Sequence, residues 1–380
     1  MPGQSKTVII CGAGLAGLAL GALLRDQGFH VLVVEKRPLF ERQGYTFTMQ
    51  APGWRALDEL GLRASVAAAG YRLPFVLVQA ASGKELRRVD GDLAEAITGG
   101  PVIQLFRWQV IEALLERARD RGCKIVTGSS IKSVQVQGER VQVHLDGEEE
   151  PRTADLLIGA DGTHSQVRAQ LRLGAATVDP IWSLSLMGPS RGEGFRLRLG
   201  TEAYMVIAPM GQAESHWVLT SRRTLPEPCD DLGLREALRQ GLREVGEHMN
   251  IAETATRLRW IRNEEVNLGR WSAQGRVVLV GDAAHAVWHT AGLGGSLALA
   301  DATTLARFLA RHPIPEAIAA FEAERRPIAE RVRRLARKNM RLNLPPEWLA
   351  GVRNLMLRFL PLSLLAPPSA DVDSSVSSAG

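Results

Sequence analysis

Short apolar runs and amphipathic stretches alternate through the opening of the chain. The β-branched run Thr7–Cys11 predicts a buried strand, and residues 31–35 predict a second one. Between them, residues 15–27 have helical spacing, and Gly28 follows where a helix commonly ends. A strand, a helix and a second strand in this order predict a βαβ unit with parallel strands.

The same alternation returns further along the chain. Residues 107–121 have the apolar spacing of a helix, and residues 123–127, 156–160 and 277–280 are apolar runs of strand length. These segments predict further strands and helices of the same parallel sheet.

Two other regions have the pattern of half-buried antiparallel strands. Polar and apolar residues alternate over residues 73–89 and again over residues 195–222. We predict that both regions form one antiparallel sheet, inserted between pieces of the domain that holds the parallel sheet. From residue 297 onward the pattern is mostly helical.

Composition narrows the class of protein. The chain has 380 residues, of which 45% are hydrophobic and 23% charged, which is typical of a globular protein with room for two domains. Its three cysteines form no C-x-x-C pair, so we expect neither a disulfide framework nor a metal site. No signal peptide or transmembrane-length apolar run is visible. We therefore expect a cytoplasmic protein with no stable membrane insertion.

The net charge of +5 raises the question of a nucleic-acid partner. The densest basic run covers residues 325–341 and falls on a predicted helix. A nucleic-acid site needs a basic stripe with interleaved aromatic residues, which is missing from this run. We interpret the run as a solvated helix face and expect no nucleic-acid partner.

The first candidate site is a G-x-G-x-x-G pattern directly after the first predicted strand. It consists of Gly12, Ala13, Gly14, Leu15, Ala16 and Gly17. In such a turn Gly12 allows the tight bend, Gly14 leaves room for a phosphate, and Gly17 lets the helix pack closely on the strand. Glu35 ends the second strand, where a carboxylate can accept hydrogen bonds from ribose hydroxyls, and Lys36 follows it. The unit predicts a dinucleotide site.

Two later segments also carry glycine after a predicted strand. Residues 159–168 read Gly-Ala-Asp-Gly-Thr-His-Ser-Gln-Val-Arg and include Asp161. Residues 281–285 read Gly-Asp-Ala-Ala-His, and a glycine loop follows at residues 292–295. In order and spacing, the three segments resemble the signatures of the class A flavoprotein monooxygenases, the p-hydroxybenzoate hydroxylase type. The resemblance covers residues 5–340.

The resemblance implies bound FAD and roles for several residues. Asp282 matches the family aspartate that holds a ribityl hydroxyl of FAD. Arg107 matches an arginine that contacts the cofactor, and Arg42 matches another near the phosphates. A helix that begins near Gly294 would point free N–H groups at the negative charge of a reduced flavin. The candidate cofactor-binding glycines of the third segment are Gly281, Gly292, Gly294 and Gly295.

The implied fold is α/β, with a Rossmann-like FAD-binding domain, an inserted antiparallel-sheet substrate domain and C-terminal helices. We assign residues 1–72, 100–175 and 270–310 to the FAD-binding domain, 73–99 and 176–269 to the substrate-binding sheet, 311–366 to the helical region, and 367–380 to a disordered tail.

Four polar residues of these segments have open roles. His289 and Ser296 stand where the family pattern has proline and asparagine. His289 either transfers a proton near flavin and substrate or is a tolerated replacement that packs or hydrogen-bonds to its loop, and we favour the second role. His285 is expected to make a structural hydrogen bond. Asp161 either lies near the pyrophosphate or fixes its turn.

The function implied by the resemblance is that of a single-component FAD-dependent monooxygenase. It would use NADPH or NADH and O2 to hydroxylate or epoxidise a small aromatic or polyketide-like substrate through a flavin hydroperoxide. The alternatives are a flavin-dependent reductase, a halogenase, and a flavin-free binding protein. The chain lacks the halogenase run W-x-W-x-I-P, and a binding-only protein would not need all three cofactor segments.

Two further assignments depend on which side of an element faces inward. The candidate substrate-contacting residues in the inserted sheet are Met205, Ile207, Met210 and Trp217. Alternation puts Met205 and Ile207 on one face without showing whether that face looks toward the flavin. The apolar stripe at residues 348–360 predicts an amphipathic helix. It could lie on a membrane surface, but we favour packing over the substrate domain.

Overall fold

The computed structural model describes residues 5–40, 42, 45–223, 227 and 230–361. The tail assigned to residues 367–380 lies outside these ranges. Within them, no helix combines the length and the apolar character needed to cross a membrane.

The strands in the described ranges are short and spread along the chain. They are β1 (Thr7–Cys11), β2 (His30–Glu35), β3 (Thr46–Met49), β4 (Tyr71–Arg72), β5 (Phe75–Ala80), β6 (Glu85–Asp90), β7 (Ile103–Phe106), β8 (Lys124–Thr127), β9 (Ile131–Gln137), β10 (Arg140–Leu145), β11 (Arg152–Ala154), β12 (Leu156–Gly159), β13 (Ala176–Pro189), β14 (Phe195–Leu199), β15 (Ala203–Pro209), β16 (Glu214–Ser221), β17 (Thr256–Val266), β18 (Ser272–Ala273) and β19 (Val277–Leu279).

The helices lie between these strands and at the end of the chain. They are α1 (Leu15–Asp26), α2 (Ala51–Glu59), α3 (Arg63–Ala69), α4 (Gly91–Thr98), α5 (Arg107–Asp120), α6 (Gln166–Gln170), α7 (Asp231–Glu244), α8 (Ile251–Thr254), α9 (Asp282–His285), α10 (Gly294–Leu309), α11 (Ile314–Asn343) and α12 (Ala350–Phe359). Short 3-10 helices span His289–Ala291 and Glu347–Leu349.

A six-stranded sheet forms the first layer, in the order β18-β19-β12-β1-β2-β8. All its neighbours pair in parallel except β18 and β19. Strand β1 lies near the centre because its apolar run is buried, and α1 packs between the sheet and helices α5 and α10. The predicted βαβ opening is confirmed. Predicted and observed ends of these elements differ by one residue or less.

A seven-stranded sheet forms the second layer, in the order β17-β13-β16-β15-β14-β5-β6. Its neighbours pair antiparallel except β14 and β5, which are parallel. The two regions of alternating pattern therefore join one sheet, as predicted. We call the side covered by α7 and α8 the back face, and the opposite side the front face.

Helix α12 packs differently from the prediction. Its residues Arg353 and Leu357 are buried at 3% and 7% exposure and face the body of the protein. Most of the apolar stripe at residues 348–360 faces outward instead, and Trp348 is 78% exposed. The helix does pack over the seven-stranded sheet, as predicted, because it contacts β6, but the prediction is wrong about the stripe, which is not the side that makes these contacts.

Candidate active site

The three glycine segments follow neighbouring strands of the six-stranded sheet. The first begins after β1, the second at the end of β12, and the third after β19. These strands lie side by side and run parallel, so their carboxyl ends meet at one edge of the sheet. Open α/β sheets bind ligands at this edge. The topology therefore brings the three segments together.

Close backbone contacts shape the first turn. Gly12 has φ of +101°, and a Cβ there would overlap the carbonyl oxygen of Ala160. A Cβ on Gly17 would overlap the carbonyl oxygen of Gly12. The side chains of Leu15 and Ala16 are buried in the core, so only their backbone can face a ligand. The turn has the tight strand-to-helix geometry that the pattern predicts.

Gly14 and Arg107 make this turn suited to an anion. Gly14 is the N-cap of α1, and no side chain caps the helix. A Cβ on Gly14 would lie 3.7 Å from Nη2 of Arg107, the first residue of α5. The helix N-terminus contributes free N–H groups and partial positive charge, and the guanidinium adds a full charge. Together they fit the pyrophosphate of a dinucleotide.

Glu35 closes the other side of the turn. Its Oε2 accepts a hydrogen bond from the backbone N–H of Ala13 at 2.9 Å, and its Oε1 accepts one from the N–H of Arg37 at 3.0 Å. These bonds hold the half-buried carboxylate at the end of β2, beside Lys36. The sequence predicted a ribose contact for Glu35, and the structure shows a different role, in which Glu35 holds the glycine turn.

A cavity of about 380 Å³ runs past these groups, within the range of cofactor sites. Arg42 stands at its edge, where it pairs with Glu112 at 2.9 Å and lies over the ring of Trp108. The candidate residues that line the cavity are Gly12, Ala13, Gly14, Glu35, Lys36, Arg42, Arg107, Asp161 and Asp282.

The second segment is tied to its neighbours by an aspartate and an arginine. Oδ2 of Asp161 accepts the N–H groups of Gln166 at 2.7 Å and Val167 at 3.1 Å, at the start of α6. Asp161 thus fixes its turn, while its buried Oδ1 has no partner among the described residues. Buried Arg168 donates to the carbonyl oxygen of Ala283 at 2.9 Å, which links the second segment to the third.

A buried ion cluster holds the third segment. Asp301 on α10 accepts the N–H of Gly281 at 2.8 Å and Nε of Arg325 at 2.7 Å, and Nε2 of His285 lies 2.6 Å from its Oδ2. Burial by itself raises the pKa of Asp301, but His285 and Arg325 lower this pKa to about 2. His285 therefore makes the structural hydrogen bond expected of it.

Asp301 and Arg325 were not among the candidate residues. Arg325 begins the basic run that the sequence assigned to a solvated helix face, yet it is only 4% exposed. That assignment is wrong for Arg325, which lies at helical spacing from the buried residues Phe321 and Ile328 of α11. This spacing is the signal that could have identified it.

The glycine loop of the third segment brings α10 to the same edge of the sheet. Gly292 adopts the left-handed conformation, with φ of +63°. A Cβ on Gly294 would lie 3.9 Å from Oδ1 of Asp282, so α10 begins beside this carboxylate. A Cβ on Gly295 would approach Cδ1 of Leu15 to 3.2 Å. The N-terminus of α10 therefore lies close to α1 and the cavity.

His289 connects this loop to the front face of the seven-stranded sheet. Its Nε2 lies 3.2 Å from Oγ1 of Thr220 and 3.4 Å from the hydroxyl of Tyr204. The surrounding protein lowers the pKa of His289 to about 4 through burial, although the residue keeps an exposed surface where solvent offsets part of this effect. The effect of burial favours a neutral imidazole at neutral pH. Its hydrogen bonds reach the sheet rather than its own loop.

The structure does not support the candidate substrate-contacting residues, because none of the four lies on the front face near His289. Three of them pack in the back-face cluster against α7 and are at most 2% exposed, namely Met205, Ile207 and Trp217. Met210 lies in the hairpin turn between β15 and β16. Tyr204 and Thr220 point to the front face and reach His289. Alternation separates the two faces correctly but does not show which one meets the loop.

A second front-face histidine completes this region. Nδ1 of His216 lies 2.7 Å from Oγ1 of Thr46, and its Nε2 lies 2.8 Å from Oγ of Ser185. Gln104 donates to the same Thr46 hydroxyl at 2.6 Å. Burial, reinforced by nearby His289, lowers the pKa of His216 to about 4. This network joins the sheet to strands β3 and β7, and an isolated histidine in an alternating strand offers no sequence pattern for it.

Comparisons with known proteins agree with this geometry. The family model described as "FAD binding domain" matches residues 5–336. The chain is 32% identical to aurachin C monooxygenase/isomerase of Stigmatella aurantiaca, covering 84% of this chain and 85% of that protein. It is 30% identical to 2-heptyl-3-hydroxy-4(1H)-quinolone synthase of Pseudomonas aeruginosa, covering 93% and 94%. The solved structure of Klebsiella pneumoniae HpxO with FAD and uric acid shares the fold, with a TM-score of 0.80, 21% identity, and coverage of 97% and 96%.

Proposed function

This chain belongs to the FAD binding domain family of FAD-dependent aromatic monooxygenases, and we propose that its substrate is an uncharged heteroaromatic ring with an apolar substituent. FAD is its cofactor, and flavin-dependent hydroxylation of an aromatic or polyketide-like molecule is its reaction. Bound FAD supplies the redox chemistry with O2 and electrons from NADPH or NADH. The protein binds, orients and shields the reactants.

We propose that FAD occupies the cavity at the carboxyl edge of the six-stranded sheet. Gly14 and Arg107 would face the pyrophosphate, and Glu35 would accept hydrogen bonds from a ribose. Asp282 would hold a ribityl hydroxyl beside the start of α10. This assignment is supported by the uncapped N-terminus of α1 and the absence of a side chain at Gly14, which together leave an open cationic recess.

The substrate proposal rests on the charge and polarity of the side chains on the front face. Strands β14, β15 and β16, which are described in full, direct no lysine or arginine to this face; Arg196 and Arg198 lie in the opposite register. Front-face residues Leu197, Val206 and Val218 are only half-buried, although their strands are central to the sheet. A carboxylate bound there would lose its hydration without gaining a cationic partner from these strands, which is costly. An apolar group gains from the same surface.

The name of the Pseudomonas aeruginosa relative supports the same substrate class. Its product carries a heptyl chain on an uncharged 4(1H)-quinolone ring. The N–H and carbonyl of such a ring need polar partners, which the front face offers through Tyr204, Thr220 and His289. We therefore take a 2-alkyl-4(1H)-quinolone as the first substrate to test.

The test is substrate-dependent turnover by the FAD-loaded protein. NADPH or NADH oxidation is measured with 2-heptyl-4(1H)-quinolone, and the product is analysed by mass spectrometry under labelled O2. The matched compound carries a terminal carboxylate on the same alkyl chain. We expect hydroxylation of the first compound, with a kcat/KM at least about tenfold higher than for the second. The reason is that binding the second compound buries one uncompensated charge. A preference for the carboxylate would refute the substrate proposal. Turnover without O2 would indicate a reductase.

We further propose that His289 positions the substrate through a hydrogen bond from Nδ1. Its Nε2 is directed to Thr220 and Tyr204, and Nδ1 has no hydrogen-bond partner within the described residues. Replacing His289 by Ala should raise KM about tenfold with a smaller change in kcat, as one lost hydrogen bond predicts. His289→Asn should recover part of the loss. If the pH profile of kcat shows an ionisation between pH 4 and 6.5 that the Ala variant lacks, His289 acts as a general base instead.

A further inference from the structure

An apolar stripe lies exposed along α12 and the turn before it. Trp348, Val352, Leu355, Met356 and Phe359 are 78%, 50%, 60%, 43% and 68% exposed. Their spacing of three and four residues places them along one side of a helix. Large apolar side chains that are contiguous and exposed indicate a surface that binds a partner.

The other side of α12 is fixed to the protein. Nη1 of Arg353 donates to the carbonyl oxygens of Gly200 at 2.9 Å and Asn343 at 2.7 Å. Nε of Arg87, on β6, donates to the carbonyl oxygen of Leu357 at 2.8 Å. Turning the apolar stripe inward would break these buried and partly buried hydrogen bonds. The helix is therefore held with its apolar side outward.

The charge around this stripe identifies the chemistry of the partner. Residues 331–361 contain eight arginines and lysines and a single carboxylate, that of Glu347. Several of the cations are exposed: Arg334, Lys338, Arg341 and Arg358. An outward apolar stripe on a strongly basic segment of chain is the pattern of helices that lie in the surface of anionic membranes. An apolar protein partner would not require this charge.

We propose that α12 docks the protein on an anionic lipid surface. The stripe from Trp348 to Phe359 enters the boundary between headgroups and acyl chains, while Arg341 and Arg358 contact lipid phosphates. Docking is peripheral, because one helix with a single apolar side lies in the interface and does not span it. It uses the outward side of α12, whose inner side packs through Leu357 in the same apolar cluster as front-face Tyr204.

The test is sedimentation of the FAD-loaded, full-length protein with lipid vesicles. One set of vesicles contains equal parts of phosphatidylglycerol and phosphatidylcholine, and the other contains phosphatidylcholine alone. We expect binding to the first set, weakened by salt, and at least about tenfold less binding to the second. The triple variant Trp348→Ser, Leu355→Ser, Phe359→Ser should bind anionic vesicles at least about tenfold more weakly.

Two controls make the result specific. Leu232, at the start of α7, is 70% exposed, and Leu232→Ser should bind vesicles like the unmodified protein. Arg341→Gln with Arg358→Gln should lose most of the preference for anionic lipid. Retention of FAD and an unchanged circular dichroism spectrum establish that each variant is folded.

Three outcomes would overturn the proposal. The first is that the full chain does not sediment with anionic vesicles. The second is undiminished binding by the triple variant. The third is a dimer in solution that the triple variant converts to a monomer, which would assign the stripe to a second copy of this chain.

Discussion

The Asp301 cluster offers a quantitative test of how the cofactor segments are held. Asp301 is fully buried, and the guanidinium of Arg325, whose side chain is 4% exposed, lies 2.7 Å from it. Asp301→Asn keeps the shape of the side chain and removes the charge. It leaves the Arg325 guanidinium buried without its counter-charge.

The expected loss of stability follows from two considerations. Lowering the pKa of Asp301 from its ordinary value of 3.8 to about 2 corresponds to roughly 2.5 kcal/mol, at about 1.4 kcal/mol per unit. Removing one partner of a buried ion pair generally costs about 3–5 kcal/mol, because the other charge remains uncompensated. We therefore expect Asp301→Asn to lower the free energy of unfolding by about 3 kcal/mol.

Urea unfolding at fixed, saturating FAD measures this change, because bound cofactor itself stabilises the folded state. A matched control lies on the same two helices. Arg307 of α10 pairs with Glu324 of α11 at 2.7 Å, but these side chains are 39% and 21% exposed. Glu324→Gln should cost less than about 1 kcal/mol, as exposed pairs do.

The stability contributed by Asp301 should depend on pH. The pKa of Asp301 is lower in the folded state than in the unfolded chain, so its contribution is present above about pH 4 and is lost as the pH falls toward 2. The gap between the unmodified protein and Asp301→Asn should narrow over this range. Equal losses in Asp301→Asn and Glu324→Gln, or a gap independent of pH, would refute the reasoning.

Three further changes test the glycine turn, the cofactor site and the front face. Gly17→Ala should destabilise the protein by about 3 kcal/mol or more in urea, because its Cβ would overlap the backbone oxygen of Gly12; a loss below about 1 kcal/mol would contradict the close packing. Glu35→Gln should raise the FAD dissociation constant about tenfold in a fluorescence titration, because an amide loses the charge-assisted bonds to Ala13 and to ribose; an unchanged constant would place the ribose elsewhere. The pKa of His216 falls from 6.5 to about 4 on folding, so the free energy of unfolding should decrease by roughly 3 kcal/mol as the pH drops from 6.5 to 4. His216→Gln should remove this dependence of the free energy of unfolding on pH.

Local patterns were sufficient where a residue's role depends on its immediate neighbours. The apolar run of β1, the helical spacing of α1 and the glycines between them specify a strand, a turn and a helix without outside help. The packing roles of Gly12 and Gly17 follow from that same unit. For the same reason, Glu35 was found at the end of β2, because the βαβ unit sets its distance from the turn.

Predictions that depended on the direction of a face were less successful. Alternation identified β15 and β16 correctly, yet Met205 and Trp217 pack against α7 rather than toward His289. Arg325 was assigned to solvent and lies in the core. The stripe on α12 was assigned to the core and lies in solvent. In each case the periodicity was right, and the missing information was the position of a distant element.

The amino-acid sequence by itself determined the elements and the three glycine segments, because each rests on short-range spacing and on residue types that a nucleotide turn requires. The assignment of FAD came from the resemblance of these segments to a known family. The tertiary structure decided which segments meet, since strands β19, β12 and β1 become neighbours only in the sheet. It also decided that Asp301 neutralises Arg325 and that the front face meets His289. These pairings join residues far apart in the chain, and their energies depend on burial, which spacing alone does not contain.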